Sequence, residues 1–170
     1  RLYEEVRQYA APVNLQLKSE DLRTLLLDAW NALAPTRHKR DAEFSVLEGL
    51  SDCHCTVDRF QMQNALRNIL ENSLAAPDPV RITATLSRTV YRDRPALQLA
   101  IRDNGPGIPP GKCDQIFDEF FTTKQRGTGL GLAIVRRIIE AHGGRVQANP
   151  DCRQGAEILI TLPLLATSAP

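Results

Sequence analysis

Three groups of residues have the types and spacing to do chemistry. Asn64, Asn68 and Asn72 recur at every fourth position, which on a helix makes one ridge. Asn is a mediocre helix former, and Lys or Glu would solvate such a ridge better. An amide oxygen suits a hard cation such as Mg²⁺, which takes phosphate oxygens and water beside it. A ridge of solvated or helix-bonding amides is the other reading, and the helix alone leaves both open. The second group, Asp103-Asn104-Gly105-Pro106-Gly107, follows a run of alternating residues directly. It sets a carboxylate at a strand end, able to accept a hydrogen bond from an exocyclic amine. Its glycines let the backbone turn tightly and approach a ligand closely. An ordinary turn, with Asp103 bonding its own backbone, is the alternative. The third group, Gly127-Thr128-Gly129-Leu130-Gly131-Leu132, opens a helix. Orphan N–H groups and the helix dipole favour anions there. It has neither the Lys-Ser/Thr of the Walker loop nor the glycine spacing of the dinucleotide fingerprint. Lys124 and Arg126 stand just upstream with positive charge.

The elements that must hold these groups can be read from periodicity. Residues 1–10 show helical spacing at Leu2, Val6 and Tyr9 or Ala10, and Pro12 ends it. Residues 13–17 alternate as a half-buried strand does. A helix signal begins at Ser19, with Leu22, Leu25, Leu26, Ala29, Trp30 and Leu33 on one side. Residues 35–41 read as a polar, basic, solvated turn. Strands are expected at 42–47 and 54–57. Asp58 caps the next helix, which runs to about Ala76 and buries Met62, Ala65, Leu66, Ile69, Leu70 and Leu74. Two alternating strands, 80–89 and 96–103, flank a turn at 91–95. A short helix near 112–118 follows, then a helix from Gly129 to His142 ended by Gly143-Gly144. Strands at 145–148 and 156–162 close the core, and 163–170 read as a tail. Strands and helices do not alternate steadily between Val80 and Asp103, so a doubly wound parallel fold is excluded.

Composition narrows the classes. The chain has 170 residues, room for one domain with an extra helix. Lys and Arg number 21 against 20 Asp and Glu, so no basic field marks a nucleic-acid binder. No apolar run approaches the ~20 residues of a membrane span, and the start lacks a signal-peptide core. No direct membrane contact is expected, and a cytoplasmic location is. Cys53-His54-Cys55 is too tightly spaced for a structural zinc site and has no second pair to complete it. Reduced thiols near a strand are expected instead. Of ten glycines, only Gly49 precedes Gly105, so unusual backbone geometry concentrates in the C-terminal part.

Taken in order, the motifs resemble those of the catalytic ATP-binding domain of sensor histidine kinases. That domain shares its ATP fold with DNA gyrase, a heat-shock chaperone and a mismatch-repair protein. Asn68-Ile69-Leu70-Glu71-Asn72 is similar to the family's N box and Asp103 to Gly107 to its G1 box. Phe117-Asp118-Glu119-Phe120-Phe121-Thr122-Thr123-Lys124 is similar to the F box, and Gly127 to Gly131 to the G2 box. The likeness covers roughly residues 13–163. It implies an α+β, two-layer sandwich of the Bergerat type: a mixed, mostly antiparallel sheet with helices on one face. The implied organisation is the end of a dimerisation and phosphoacceptor helix at 1–11, the ATP-binding domain at 12–164, and a tail at 165–170.

The resemblance also implies roles. Asp103 binds the adenine amino group, with Gly105 and Gly107 shaping the loop and Ile108 opening a mobile lid that runs to Arg126. Phe117 and one of Phe120 and Phe121 pack that lid, and Lys124 adds charge. Asn72 ligates Mg²⁺ on the triphosphate and Asn68 assists. Thr128, Gly129, Leu130, Gly131 and Leu132 form the phosphate loop. Gyrase-type ATPases carry a water-activating Glu where Asn68 stands, and an amide is no base, so transfer to a protein histidine is favoured over hydrolysis. A gyrase- or chaperone-like ATPase and an anti-sigma serine kinase are the alternatives. Glu71 is either the acceptor of the imidazole proton or a solvated carboxylate. None of His38, His54 and His142 stands in an acceptor-type His-Glu/Asp-x-x-x-Pro sequence. The expectation is therefore a monomeric kinase fragment that binds ATP or ADP. Its partners would be its own dimerisation and phosphoacceptor domain and, through the full-length kinase, a response regulator receiver domain.

Overall fold

The computed structural model describes residues 2–11, 14–47, 49–122 and 127–164. The elements in chain order are α1 (Leu2–Ala10), β1 (Lys18–Asp21), α2 (Leu22–Ala32), α3 (Ala34–Arg37), β2 (Ala42–Leu47), β3 (His54–Val57) and α4 (Arg59–Ser73). They continue with β4 (Val80–Tyr91), β5 (Arg94–Asp103), a 3₁₀ turn (Gln115–Phe117), α5 (Gly131–Ala141), β6 (Arg145–Ala148) and β7 (Glu157–Pro163).

Alternation builds the sheet. Ile82, Ala84 and Leu86 of β4, Leu97, Leu99 and Ile101 of β5, and Ile158, Ile160 and Leu162 of β7 are all buried. Register aligns them: Leu86 faces Leu99, which faces Ile160. The five strands run β2-β4-β5-β7-β6, with β2 parallel to β4 and the other pairs antiparallel. Helices cover the apolar face. α4 buries Met62, Ala65, Leu66, Ile69 and Leu70, and α5 buries Ala133, Ile134, Val135, Ile138 and Ile139. The expected α+β sandwich is the observed one.

Differences from the periodicity reading have local causes. Residues 14–17 carry no regular structure, and Val13 lies outside the described residues. The strand sits at Lys18–Asp21 instead, pairing antiparallel with β3. Ser19 is in that strand, and Asp21 caps α2 by accepting from the N–H groups of Arg23 and Thr24 at 2.8 and 3.3 Å. The hairpin strands reach Tyr91 and Arg94 because the turn needs only Arg92 and Asp93, both at positive φ (50° and 59°). α4 stops at Ser73, the 112–118 helix shrinks to one 3₁₀ turn, and Pro163 belongs to β7 rather than the tail. α5 starts at Gly131 because Gly129 has φ +73°, outside the helical region.

One side-chain relay locks the two central helices together. His142, at the end of α5, accepts the Asp58 N–H on Nε2 at 2.9 Å and donates from Nδ1 to the Ile138 carbonyl at 2.7 Å. Asp58 caps α4 through the Gln61 N–H at 2.9 Å and accepts the Gln16 N–H at 2.7 Å. Burial alone would raise this carboxyl. The Gln61 and Gln16 donors, with His142 beside them, outweigh it and hold it below the ordinary carboxylate value. A carboxyl depressed by folding adds stability that is complete above its unfolded pKa and is lost as pH falls through its folded value. Asp58→Ala is therefore expected to lower unfolding free energy by about 1–2 kcal/mol at neutral pH. The gap to the parent should shrink as pH drops below the ordinary carboxylate range. Urea unfolding followed by Trp30 fluorescence checks this, and a gap independent of pH would refute it.

Candidate functional site

The site lies where β5 ends and α5 begins. The Asp103 N–H donates to the Ala156 carbonyl at 2.9 Å. Its Oδ1 accepts from the N–H groups of Gly105 at 2.9 Å and Ala156 at 3.1 Å. Among the described residues no hydrogen bond falls on Oδ2, so one oxygen is committed to the loop and one is available. Asn104 clips the loop to β4: its Oδ1 accepts the Arg81 N–H and its Nδ2 donates to the Pro79 carbonyl, both at 2.8 Å.

Glycines make this crossing possible. A Cβ on Gly105 would stand 3.0 Å from the Ala76 Cβ. Gly107, at φ +80°, faces the Gly155 carbonyl, 2.9 Å from where a Cβ would lie. Gly155, at φ +75°, passes so close to the backbone of Asp103 that a Cβ there would overlap its carbonyl oxygen. In the sequence Gly155 stands just before the strand expected at 156–162. The signal was in the strand pairing: Arg102 faces Glu157, which carries the next residues of each strand, Asp103 and Ala156, into register.

The amide ridge meets the start of α5. Asn68 Nδ2 donates to the Asn64 carbonyl at 2.9 Å and approaches the Asn64 Oδ1 at 3.2 Å. That commits its nitrogen along α4 and leaves its oxygen on the side of Gly131. A Cβ on Gly131 would lie 3.1 Å from Asn68 Oδ1 and 3.9 Å from Asn72 Nδ2, so only glycine leaves that space open. Leu130 gives α5 no side-chain cap. The Leu130 N–H reaches the Thr128 hydroxyl at 3.4 Å. The Leu130 side chain is buried, and Leu132 and Ile108 are half-buried against the same core. Glu71 is half-exposed, with Oε1 3.9 Å from Arg67 Nε.

The segment between the two loops is pinned by α5. Phe117 is buried under the Arg136 guanidinium, which sits 5.5 Å from the ring. Arg136 also donates to Asp118 Oδ1 at 3.3 Å and to the Asp114 carbonyl at 3.0 Å. Phe120 is exposed, at φ +62°. Its Cα lies 2.7 Å from where a Cβ on Gly129 would stand, so its backbone rests on Gly129. Tyr9 of α1 donates to Glu119, and Arg137 stacks over the Tyr9 ring at 5.4 Å. Lys124 lies outside the described residues. Away from the site, Cys53 and Cys55 are buried, and burial pushes the Cys55 thiol up to about 12, which opposes a thiolate metal ligand.

A mixed sheet with helices on one face, holding a glycine-framed carboxylate loop beside an open helix start, is the architecture of a histidine-kinase ATP-binding domain. Residues 57–166 match the family described as "Histidine kinase-, DNA gyrase B-, and HSP90-like ATPase", and the chain belongs to that family. Sensor histidine kinase ZraS of Escherichia coli is 29% identical over 169 residues, covering 98% of this chain and 35% of the relative. Sensor protein kinase WalK of Staphylococcus haemolyticus is 39% identical over 114 residues, covering 63% of this chain and 18% of the relative. The chain thus spans about a third of the length of ZraS. The nucleotide-free catalytic domain of histidine kinase ThkA superposes with a TM-score of 0.75 at 27% identity, covering 87% of this chain and 95% of that one. Full-length ShkA in complex with AMPPNP superposes with a TM-score of 0.79 at 27% identity, covering 99% and 36%.

Two glycines at nearly the same φ separate backbone strain from overlap. Gly111, at φ +74°, has nothing within 4 Å of a built Cβ, whereas Gly155 faces the Asp103 carbonyl. Gly111→Ala is expected to cost about 1 kcal/mol and Gly155→Ala about 3 kcal/mol or more. Equal losses in urea unfolding would refute the close crossing.

Proposed function

We propose that this chain binds Mg·ATP and transfers the γ-phosphoryl group to a histidine presented by a dimerisation helix domain. The observation that carries this is the start of α5, without a side-chain cap at Leu130 and set against Asn68 and Asn72, together with an Asp103 Oδ2 that takes no hydrogen bond among the described residues. The AMPPNP complex of the similar ShkA supports the nucleotide. Asp103 Oδ2 accepts the adenine amino group while Oδ1 keeps the loop in place. The N–H groups of Gly129, Leu130 and Gly131 meet the phosphates, favoured by orphan donors and dipole. Thr128 and Leu132 flank them, Phe117 anchors the lid, and Lys124 adds charge.

The Asn68 oxygen, left on the side of Gly131 by the bonds to Asn64, is a hard donor that fits Mg²⁺. Asn72 would hold the ion with Asn68 assisting. When bound, Mg²⁺ neutralises charge on the triphosphate. The imidazole nitrogen then forms a bond to the γ-phosphorus, the bond to the ADP oxygen breaks, and the imidazole proton passes to Glu71. Asn68 offers no base for water, which favours this transfer over hydrolysis. α1 would be the end of the dimerisation helix. A response regulator would take the phosphoryl group from the full kinase, and the isolated chain would be a cytoplasmic monomer. Among the described residues no helix is long and apolar enough to cross a membrane.

Calorimetry with Mg·ADP tests the reading. The parent chain is expected to bind, Asp103→Ala to bind on the order of 100-fold more weakly, and Asn72→Ala to lose the dependence on Mg²⁺. A parent chain that binds no adenine nucleotide would overturn the function, and an Asp103→Ala chain as tight as the parent would overturn the adenine assignment. With γ-labelled ATP and a separately supplied dimerisation domain, acid-labile label should appear on that domain.

A further inference from the structure

The geometry points to Arg40 as a positioning residue for the adenine side of the nucleotide site. Its stretch of sequence reads as a solvated turn, yet the side chain is only 29% exposed. Its guanidinium reaches across to the segment that leaves α4. Nε donates to Asp78 Oδ1 at 2.8 Å, Nη1 to the Leu74 carbonyl at 2.7 Å and Nη2 to the Ala76 carbonyl at 2.5 Å. Leu74 is the C-cap of α4, so these carbonyls lie where a helix runs out of internal donors and where a cation is favoured. The neighbouring residue is stitched to the same segment: the Asp41 carbonyl accepts the Val80 N–H at 2.8 Å, and its carboxylate pairs with Arg81 at 3.0 Å.

The segment that Arg40 holds is one wall of the Asp103 loop. Ala76 is buried, and its Cβ stands 3.0 Å from where a Cβ on Gly105 would lie. Pro79 supplies the carbonyl that receives Asn104 Nδ2 at 2.8 Å. The loop is therefore held on two sides, by Gly155 and Ala156 just before β7 and by Ala76 and Pro79 from the segment after α4. Ala156 is fixed by two bonds to Asp103, its carbonyl accepting the Asp103 N–H and its own N–H donating to Oδ1. The other wall has no strand, and the planar fork of Arg40, satisfying two carbonyls and a carboxylate at once, takes that place. Lys has no such fork. Arg40 touches no part of the proposed nucleotide contacts; it acts through Ala76 and Pro79 on the setting of Asp103.

The inference rests on the reading of Asp103 as the adenine acceptor. Its test measures Mg·ADP affinity by calorimetry, at a temperature where Trp30 fluorescence shows every variant folded. Arg40→Ala is expected to weaken ADP on the order of tenfold, with Arg40→Lys between it and the parent. Arg59→Ala, which removes ion pairs to Glu20 and Asp28, should destabilise the fold yet bind ADP as the parent does. Should Arg40→Ala fail to fold, Asp78→Ala removes one partner of the guanidinium and should weaken ADP by about threefold. A parent that binds, with Arg40→Ala or its substitute within about twofold of it, overturns the inference. A parent that does not bind overturns the nucleotide reading beneath it.

Discussion

The crossing of the Asp103 and Gly155 backbones is the constraint on which the site depends. Asp103 Oδ1 takes two N–H groups, one from its own loop and one from Ala156 just before β7. That double acceptance orients the carboxylate by backbone alone and leaves its second oxygen turned to the site. It requires the two chains to pass closer than any Cβ permits, which is why Gly155 stands there. A carboxylate positioned by side chains would share their rotamer freedom. One positioned by two strands of a sheet inherits the rigidity of the sheet.

The start of α5 is set by a different device. α4 and α5 lie side by side on the sheet, and His142 ties the end of α5 to the cap of α4. Packing through Ile69 and Leu70 on one helix and Ile134 and Ile138 on the other fixes their spacing. With the far ends tied, the near ends bring Gly131 against Asn68 and Asn72. A ligand spanning from Asp103 to the start of α5 therefore bridges a sheet-borne group and a helix-borne one, and the distance between them is a property of the core.

Much of this was legible in the residues. The α4 stripe, the Asp58 cap, the β4–β5 alternation and the three motif groups follow from periods of 3.6 and 2 and from glycine chemistry, all of them local. What was not legible depends on contacts distant in sequence. Ser19 and Asp21 are both competent caps, and only the pairing of Lys18–Asp21 with His54–Val57 decides between them. Gly155 looks like a strand entry until Asp103 is placed beside it. Arg40 looks solvated because the carbonyls it satisfies lie more than thirty residues on. His142 looks like a helix end, and its partner Asp58 is 84 residues away.

The near-neutral charge of the chain, which at first only argued against nucleic acid, acquires a physical meaning from these contacts. α5 carries Arg136 and Arg137 within two turns of the helix start that faces the amide ridge, yet neither is spent on that opening. Arg136 holds Asp118 and the Asp114 carbonyl over Phe117, and Arg137 stacks on Tyr9. The cationic side chains of the helix thus secure the Asp114–Asp118 segment and α1. Backbone donors are fixed in place and carry no rotamer entropy, so they discriminate by position. A polyanion met by backbone donors at a helix start would need no basic surface, which is consistent with 21 basic against 20 acidic residues.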